Sequence, residues 1–486
     1  MKAFERSAFA ALLLAASACA AGAEALTECR VPGLRNSAMC GVVQRPLDPA
    51  RPGSVKIDVH FLVVPAMARR KLLDPVFLLA GGPGQSAIAL AQAVLPLFSR
   101  LNNRRDIVFV DQRGTGKSAP LECEDTRREP LATQADPQRQ LQKLLACRAQ
   151  LQQLPYGDLR FFTTMLAMQD LDAVRAQLGV ERINLVGASY GTRAALEYQR
   201  QFPQAVRRSV LDGVAPPDMA LPASVSTDAQ AAFDALLAAC EAEVACARSY
   251  PALRADWAAL LGSLPRPVSV LHPLTGQTES FTLTRDMVLG SVRGPLYGPA
   301  LAAALPAAIS EAARGRFQAL VGLSSLLSPR RGSQLATGMH FSVVCAEDFP
   351  LLARAGDRPG ADFGGEFASL YQRACADWPR GAVPAAFYGV PTSVSPVLLL
   401  SGGLDPVTPP RHGERIAKAL GPMAQHVVVP NAGHGVMSIG CMRDVVFRFI
   451  DAAEDSDATA VDAACVKSIP RPPAFQPVAA TAEAAK

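Results

Sequence analysis

Short apolar runs, each ending in Gly, Asp or Pro, recur along the chain and predict buried strands. Uninterrupted apolar runs of about four to eight residues are typical of parallel strands that are covered on both faces. Stretches with apolar residues at helical spacing lie between them, as in residues 164–178. Strands that alternate with helices predict an α/β fold with a mostly parallel sheet. The runs occupy residues 75–84, 106–116, 182–191, 208–216, 396–410 and 425–435.

Two regions have a different pattern. Residues 53–66 alternate apolar and polar side chains, which predicts an antiparallel strand ahead of the parallel set. The alternation of strand and helix stops at Pro216 and resumes near residue 391, and the chain between is rich in Ala and Leu at helical spacing. We therefore expect an all-helical cap inserted into an interrupted α/β core. The predicted division is residues 24–215 and 391–486 for the core and 216–390 for the cap.

Composition and charge narrow the class of protein. The chain has 486 residues, of which 49% are hydrophobic and 19% charged, so it can bury a large core and is not disordered. Its net charge of +5 is spread over the whole chain without a run of Lys or Arg. Nucleic-acid-binding proteins usually carry a concentrated basic patch, so we expect no nucleic-acid partner.

The N-terminal residues have the features of a secretory signal peptide. Two basic residues precede the apolar stretch 8–18, and small residues follow it. Cleavage after Ala20 or after Ala23 would fit, and we assign residues 1–23 to the signal peptide. The expected location is therefore periplasmic or secreted. No other stretch is long enough and apolar enough to predict a membrane span.

The cysteines bear on both anchoring and cross-linking. A lipid anchor at Cys19 is the less favoured alternative, because Ala16 stands where lipoprotein signals usually carry Leu. Ten of the eleven cysteines remain in either case, and an even number in an exported chain predicts disulfides. No cysteines or histidines have the spacing of zinc ligands, so we expect no metal. The predicted pairs join sequence neighbours: Cys29 with Cys40, Cys123 with Cys147, Cys240 with Cys246, Cys345 with Cys375, and Cys441 with Cys465.

A G-x-S-x-G pattern marks the first candidate for chemistry. It reads Gly187-Ala188-Ser189-Tyr190-Gly191, with a predicted strand before it and a predicted helix after it. Strand, sharp turn and helix are the setting of a nucleophile elbow, which exposes a serine hydroxyl at the edge of the sheet. The glycines fit because a Cβ would clash in so tight a turn. The alternative is a strand-to-helix turn with a capping serine.

Asp405 and His434 are the candidates for a base and for the carboxylate that orients it. A serine hydroxyl needs both to become a nucleophile at neutral pH. In this type of fold the three residues follow the order Ser, Asp or Glu, His. Asp405 and His434 each come directly after a predicted strand, at the edge where open α/β sheets place their sites. We therefore predict Ser189, Asp405 and His434 as the catalytic residues.

Two backbone N–H groups are predicted to stabilise the oxyanion that forms during acyl transfer. One belongs to Tyr190, which directly follows the serine. We assign the second to Gly82 in the loop 80–84, because a residue without a Cβ lets the backbone approach the substrate closely. Asp111 and Arg113 follow the next predicted strand, and we expect a structural role for both, in a turn and an ion pair beside the site.

The chain resembles the α/β-hydrolase serine peptidases of the prolyl aminopeptidase and tripeptidyl aminopeptidase family. The resemblance covers nearly the whole mature chain, and the Cys-rich insertion is more similar to the secreted tripeptidyl branch. It implies Ser189 as the nucleophile, with Asp405 and His434 as the rest of the charge relay. It also implies Gly82 and Tyr190 as oxyanion donors. The motifs that carry it occur in the same order: AGGPG, VFVDQRGTGKS, GASYGTR, LDPVTP and NAGHG.

The sequence departs from the prolyl branch of this family in the oxyanion loop, where Ala80 replaces a His. The prolyl branch also holds the amino group of the substrate with glutamates of the cap. The candidates for that task here are Glu347 and Asp348, which follow an apolar run in the insertion. A carboxylate binds a protonated amine through charge-assisted hydrogen bonds. The alternative is a solvated loop or a helix-capping pair.

Together these observations predict an exported serine hydrolase with a helical cap and no cofactor. The favoured function is an aminopeptidase of prolyl or tripeptidyl type, which acts on peptides through an acyl-enzyme. The alternative is a carboxylesterase that uses the same triad on small esters. A third interpretation, an inactive hydrolase fold that serves as a binding module, conflicts with the intact Ser, Asp and His.

Overall fold

The computed structural model describes residues 26–325 and 335–476. The predicted signal peptide, residues 1–23, and Cys19 lie outside the described residues. The strands are β1 (Thr27–Cys29), β2 (Ala38–Pro46), β3 (Lys56–Val64), β4 (Val76–Leu79), β5 (Ile107–Val110), β6 (Ile183–Ala188), β7 (Val206–Asp212), β8 (Arg266–Leu271), β9 (Thr278–Leu283), β10 (Val397–Gly402) and β11 (Ala424–Val429).

Eighteen α-helices lie between or after these strands in the described residues. They are α1 (Ala87–Val94), α2 (Ser99–Asn102), α3 (Leu131–Gln134), α4 (Pro137–Leu151), α5 (Thr164–Gln177), α6 (Tyr190–Gln201), α7 (Leu221–Ala242), α8 (Val244–Ser249), α9 (Leu253–Gly262), α10 (Arg285–Leu296), α11 (Pro299–Ala302), α12 (Leu305–Ala313), α13 (Gln318–Ser325), α14 (Thr337–Val343), α15 (Glu366–Cys375), α16 (Pro410–Leu420), α17 (Met442–Asp451) and α18 (Asp455–Thr459). A π-helical turn, Val344–Asp348, continues α14.

A nine-stranded sheet forms the centre of the molecule, in the order β1-β2-β3-β5-β4-β6-β7-β10-β11. Six neighbouring strands of this sheet run parallel and correspond to the six apolar runs of the sequence: β5, β4, β6, β7, β10 and β11. The strand predicted within residues 53–66 is β3, which is antiparallel to both of its neighbours. The predicted α/β fold with a mostly parallel sheet is therefore confirmed.

Apolar side chains cover both faces of this sheet. Phe77 and Leu79 of β4 pack into one apolar cluster and Val76 and Leu78 into another, because successive side chains of a strand point to opposite faces. Helices α5 and α6 contribute to the first cluster, and α1 and α17 contribute to the second. The parallel strands thus have helices on both faces, and their carboxyl ends share one edge of the sheet.

The cap has an apolar core of its own, but it is not all-helical as the sequence predicted. Helices α7, α9, α10, α12 and α13 form that core, and β8 and β9 make an antiparallel hairpin between α9 and α10. Val268 and Val270 of β8 are buried while the residues between and after them are exposed. Phe281 and Leu283 of β9 follow the same pattern. This period of two is the strand signal within the insertion.

We call residues 335–378, near the end of the predicted cap, the return segment. Most of its buried apolar side chains pack against the sheet, while Phe363 joins the core of the cap. The N–H of Ala336 donates to the Gly84 oxygen, and the N–H of Gly338 donates to the Leu121 oxygen, both at 2.9 Å. The predicted insertion 216–390 therefore combines two parts that pack in different places. Side chains of the return segment in the same apolar cluster as the strands include Met339, Phe341, Val344, Tyr371 and Trp378.

The five predicted cysteine pairings are all present as disulfides. Their sequence separations run from 6 to 30, so each bridge closes a local loop. The bridge Cys240–Cys246 lies in the cap, and Cys345–Cys375 lies within the return segment. No helix in the described part of the chain has the length and apolar character needed to cross a membrane.

Candidate active site

Ser189 lies in the sharp turn between β6 and α6, at the carboxyl edge of the sheet. Its backbone has φ 55° and ψ −123°, a conformation that residues with a Cβ rarely adopt. A Cβ on Gly187 would lie 2.3 Å from the Gly191 oxygen, and one on Gly191 would lie 2.2 Å from the Leu79 oxygen. The N–H of Ser189 donates to the Asp212 oxygen at 2.8 Å, which ties the turn to β7. This is the geometry of a nucleophile elbow.

Asp405 and His434 are joined by a hydrogen bond of 2.8 Å from Nδ1 of the imidazole to Oδ2 of the carboxylate. Asp405 is 1% exposed. Its oxygens also accept the N–H groups of Val407 and Thr408 and the hydroxyl of Thr408, at 2.8 to 2.9 Å. These bonds fix the carboxylate and place the imidazole proton on Nδ1. The lone pair of Nε2 is then free to accept a proton.

Residues 212 and 213 lie next to both Ser189 and His434. The backbone oxygen of Asp212 accepts the N–H of Ser189, and a Cβ on the neighbouring Gly213 would lie 3.2 Å from Cε1 of His434. Within the described residues, no hydrogen bond joins the Ser189 hydroxyl to the imidazole. That bond is often long in hydrolases without substrate and tightens on binding. The three predicted catalytic residues therefore lie in one region of the edge.

Burial and charge act in opposite directions on the pKa values of His434 and Asp405. Burial acts to lower the pKa of His434, but the charge of Asp405 and its hydrogen bond outweigh burial and raise that pKa above its ordinary value. Burial acts to raise the pKa of Asp405, but the charge of His434 and the accepted hydrogen bonds bring it below its ordinary value. Asp405 is therefore ionised at neutral pH and stabilises the protonated imidazole.

The predicted oxyanion loop, residues 80–84, lies directly against Ser189. A Cβ on Gly81 would lie 3.2 Å from the Cβ of Ser189. Gly82 has φ 111°, which glycine adopts without strain. Tyr190 is the first residue of α6, so its N–H has no acceptor within the helix. Tyr190 directly follows the serine and Gly82 follows the residue that contacts it, and donation of either N–H to an oxyanion stays a prediction.

His340 of the return segment contacts this loop from the other side. Its Nδ1 lies 3.2 Å from the Pro83 oxygen, and its Nε2 lies 2.7 Å from the Tyr371 hydroxyl. A carbonyl oxygen only accepts, so Nδ1 carries the proton and Nε2 accepts from Tyr371. Burial lowers the pKa of His340, which favours this neutral form. The return segment therefore holds the oxyanion loop through a buried chain of hydrogen bonds.

Glu347 and Asp348 lie in the π-helical turn, both 1% exposed, next to Arg193 of α6. Asp348 accepts two hydrogen bonds from the Arg193 guanidinium, at 2.8 and 3.0 Å. Glu347 accepts the N–H and the hydroxyl of Thr164, at 2.7 and 2.8 Å. Burial raises the pKa of Glu347 to about 7. The carboxylate oxygens thus have partners inside the protein, and binding of a substrate amine by either residue stays a prediction.

Two contacts of the His434 loop were missed in the sequence. The carboxylate of Asp212 accepts the N–H groups of Val436 and Met437, at 2.9 and 3.0 Å. The N–H of His434 donates to the oxygen of Tyr297 at 2.8 Å, and the Tyr297 ring lies edge-on to the imidazole with centroids 5.2 Å apart. Asp212 ends a strand, which is the signal that identified Asp405. Tyr297 follows α10 in the cap, where no sequence pattern indicated it.

Other polar side chains near the site have the structural role expected of them. Arg113 forms an ion pair with Asp170 through two hydrogen bonds, at 2.7 and 2.8 Å. Asp111 accepts the Ser86 hydroxyl at 2.6 Å. Among the residues that the structure describes, no three His, Cys, Asp or Glu side chains are grouped as metal ligands would be.

This fold and the serine elbow define the class of protein. The model of the α/β-hydrolase fold family matches residues 74–439, and the chain belongs to that family. Members share the parallel sheet and the strand–turn–helix motif that the structure contains.

Similar proteins narrow the class to serine hydrolases. The chain is 26% identical over 426 residues to the serine protease Hip1 of Mycobacterium tuberculosis, a match covering 80% of each. It is 30% identical over 233 residues to the tripeptidyl aminopeptidase of Streptomyces lividans, which covers 44% of this chain and 42% of that one. It is 27% identical over 421 residues to carboxylesterase B of Mycobacterium tuberculosis, covering 79% and 78%. The chain is a serine hydrolase, similar to peptidases and to an esterase.

Proposed function

We propose that the protein is an exported serine aminopeptidase that uses Ser189, His434 and Asp405. The observation that carries this proposal is the hydrogen bond between Asp405 and His434, at the same sheet edge as a serine in an elbow. The similarity to a serine protease and to a tripeptidyl aminopeptidase supports a peptide as the substrate.

The proposed reaction has two halves. As the Ser189 oxygen attacks the scissile carbonyl, Nε2 of His434 takes its proton, and Asp405 stabilises the imidazolium. The N–H groups of Tyr190 and Gly82 donate to the oxyanion. His434 then gives the proton to the departing amine, the peptide bond breaks, and the acyl group stays on the serine. Water, deprotonated by the same imidazole, releases the acyl group and restores the hydroxyl.

A cavity of about 980 Å³ lies beside α10, the helix that ends next to Tyr297. Met287, Gly290 and Arg293 line it, and Arg293 lies one helical turn before Tyr297, which contacts His434. The wall from Met287 to Arg293 is about 9 Å long at about 1.5 Å per residue, roughly the length of three extended residues. We assign this cavity to the part of the peptide on the N-terminal side of the scissile bond.

The second candidate function is a carboxylesterase that acts on small esters with the same residues. Two observations favour it. One is the similarity to carboxylesterase B over most of both chains. The other is the apolar part of the cavity lining, which would suit an acyl chain. The apolar side chains of that lining include Leu141, Phe363, Phe367 and Leu370.

Chromogenic substrates separate the two functions. Aminoacyl and tripeptidyl amides, each with a free and with a blocked N-terminus, should be compared with a small ester. An aminopeptidase prefers the free amides, whereas a carboxylesterase hydrolyses the ester and neither form of the amide. Ser189→Ala should lower every activity by on the order of 10⁴- to 10⁶-fold and leave the fold intact. Equal rates on free and blocked amides would exclude an aminopeptidase, and near-normal turnover by the variant would exclude Ser189 as nucleophile.

We also propose that the protein is exported. The support comes from the basic and apolar pattern of residues 1–23 and from the five disulfides, which persist in oxidising compartments.

A further inference from the structure

Asp212 ends β7, which lies between the strand that leads to Ser189 and the strand that leads to Asp405. It is 3% exposed. Both oxygens of its carboxylate lie 2.9 Å from the N–H of Val436, and Oδ2 also accepts the N–H of Met437 at 3.0 Å. Its backbone oxygen accepts the N–H of Ser189. One residue is thus bonded to the nucleophile turn and to the chain just after the imidazole.

Burial at this position disfavours the ionised form of a carboxylate. The described contacts of Asp212 include no Lys or Arg, and a buried carboxylate without a cation is unfavourable. Burial raises the pKa of Asp212 to about 6. The charged groups that face it are His434, which favours its ionised form, and Asp405, which opposes it. An apolar side chain would avoid that cost but would leave two buried N–H groups unpaired.

We propose that Asp212 is a positioning residue for the triad. It holds the loop that carries His434, so that the imidazole lies within reach of the Ser189 hydroxyl, and its negative charge adds to that of Asp405 in stabilising the imidazolium. Asp212 touches no reacting atom: the Nδ1 proton is bound by Asp405, and the transferred proton moves between Ser189 and Nε2. The inference rests on the proposed catalytic roles of Ser189 and His434.

Asp212→Asn tests both parts of the inference, because it keeps the size of the side chain and one acceptor oxygen but removes the charge. With a small chromogenic ester, kcat should fall roughly 10- to 100-fold and KM should change by less than about threefold, since displacement of a base by about 1 Å can cost about 100-fold. The acid limb of kcat/KM reports His434 and should move to lower pH by roughly 0.5 unit or more. A merely structural residue would not move this limb.

Asp106→Asn is the matched control. Asp106 precedes β5 at the opposite edge of the sheet, and it also accepts a backbone N–H, that of Ala66 at 2.8 Å. Its kcat and pH profile should equal those of the wild type. An unmoved acid limb in Asp212→Asn, or a kcat within about threefold of the wild type, would overturn the inference. The inactivity of Ser189→Ala on the same ester shows separately whether the proposed function stands.

A measurement on the wild-type protein tests the contact with the His434 loop even if Asp212→Asn does not fold. Hydrogen exchange of the Val436 and Met437 amides should be slowed at about pH 8, where the carboxylate is ionised. The protection should decrease as the pH falls through about 6, because the protonated carboxyl is a weaker acceptor. Unprotected amides at about pH 8 would overturn the inference.

Discussion

At the scale of single residues, buried charged side chains lie one helical turn beyond Ser189. Arg193 follows Tyr190 by three positions in α6 and is 4% exposed. Its guanidinium binds Asp348 of the π-helical turn, and the neighbouring Glu347 binds Thr164 at the start of α5. Removing one member of such a pair leaves an uncompensated charge in a medium of low dielectric constant. We interpret these contacts as a brace between α6 and the return segment.

If this interpretation is correct, Glu347→Gln and Asp348→Asn should affect all substrates alike. The kcat/KM for a peptide with a free N-terminus and for an uncharged ester should fall by the same factor, because neither carboxylate then contacts the amine. Asp348→Asn should also lower the free energy of unfolding in urea by about 2–4 kcal/mol, because Arg193 loses its ionic partner. A loss confined to the peptide substrate would instead establish the predicted amine-binding role.

The pH dependence of unfolding gives a second readout for Glu347→Gln. The pKa of Glu347 is raised from 4.5 to about 7 in the folded protein. The resulting stabilisation is complete below about pH 4.5 and is lost as the pH rises to about 7, because over that range the unfolded state has released a proton that the folded state still holds. The variant has no titrating group at this position, so the same decrease should be absent from its urea unfolding curves.

Sequence reasoning located the residues whose function depends on strand ends. Ser189 follows β6 directly, and Asp405 and His434 lie within five residues of the ends of β10 and β11, so that local signal is readable without a structure. His340 and Arg193 lack such a signal, because their partners lie 257 and 155 positions away. The partners of Glu347 and Asp348 are equally distant in the sequence, so these internal hydrogen bonds could not be predicted, and a role of either residue at the substrate amine stays a prediction.

At the scale of elements, how well a strand could be predicted from the sequence depended on how much of that strand is buried. The six parallel strands are covered on both faces, which leaves continuous apolar runs that stand out in the sequence. The hairpin of β8 and β9 buries only alternate residues over six positions per strand. Such a short pattern, surrounded by Ala- and Leu-rich helices, does not outweigh the helical signal of its neighbours.

Helix α10 of the cap ends next to Tyr297, which contacts His434. A substitution at one glycine of this helix tests the role of the cavity beside it. Gly290 lines the cavity, and a Cβ there would have no heavy atom within 4 Å. Gly290→Trp should therefore place an indole ring in part of the cavity without a clash at its Cβ. It should lower kcat/KM for tripeptidyl substrates by at least about tenfold, and it should leave a small ester within about twofold of the wild type.

Gly262→Trp provides the control for this substitution. Gly262 ends α9 in the same cap, a Cβ there also meets open space, and the residue is not part of the cavity lining. Its kinetics should match the wild type on every substrate. Tripeptidyl hydrolysis that is undisturbed in Gly290→Trp would remove the cavity from the proposed substrate path, and equal losses on peptide and ester would indicate a distorted cap.

At the scale of the whole molecule, the disulfides and the N-terminus together predict how many thiols the protein contains. Protein recovered from outside the cytoplasm should begin after Ala20 or Ala23 and show no thiol on titration in denaturant, because the ten cysteines that remain are paired. A chain that keeps Cys19 without a lipid should show one. Reduction should lower the melting temperature, since a loop closure contributes about 2–4 kcal/mol. Two or more thiols in the oxidised protein would contradict the pairing.

The return segment limits which part of the insertion can be exchanged for the corresponding part of a related protein. Ala336 and His340 bind the oxyanion loop, so this stretch is inherited with the catalytic machinery even though it follows the cap in the chain. Most of the apolar cluster of the cap lies between Ala229 and Val321, and Leu131 and Phe363 from outside that range join it. A chimaera that replaces residues 229–321 alone keeps the contacts of the return segment with the oxyanion loop but exchanges Tyr297, which contacts His434. One that replaces the whole insertion loses both sets of contacts.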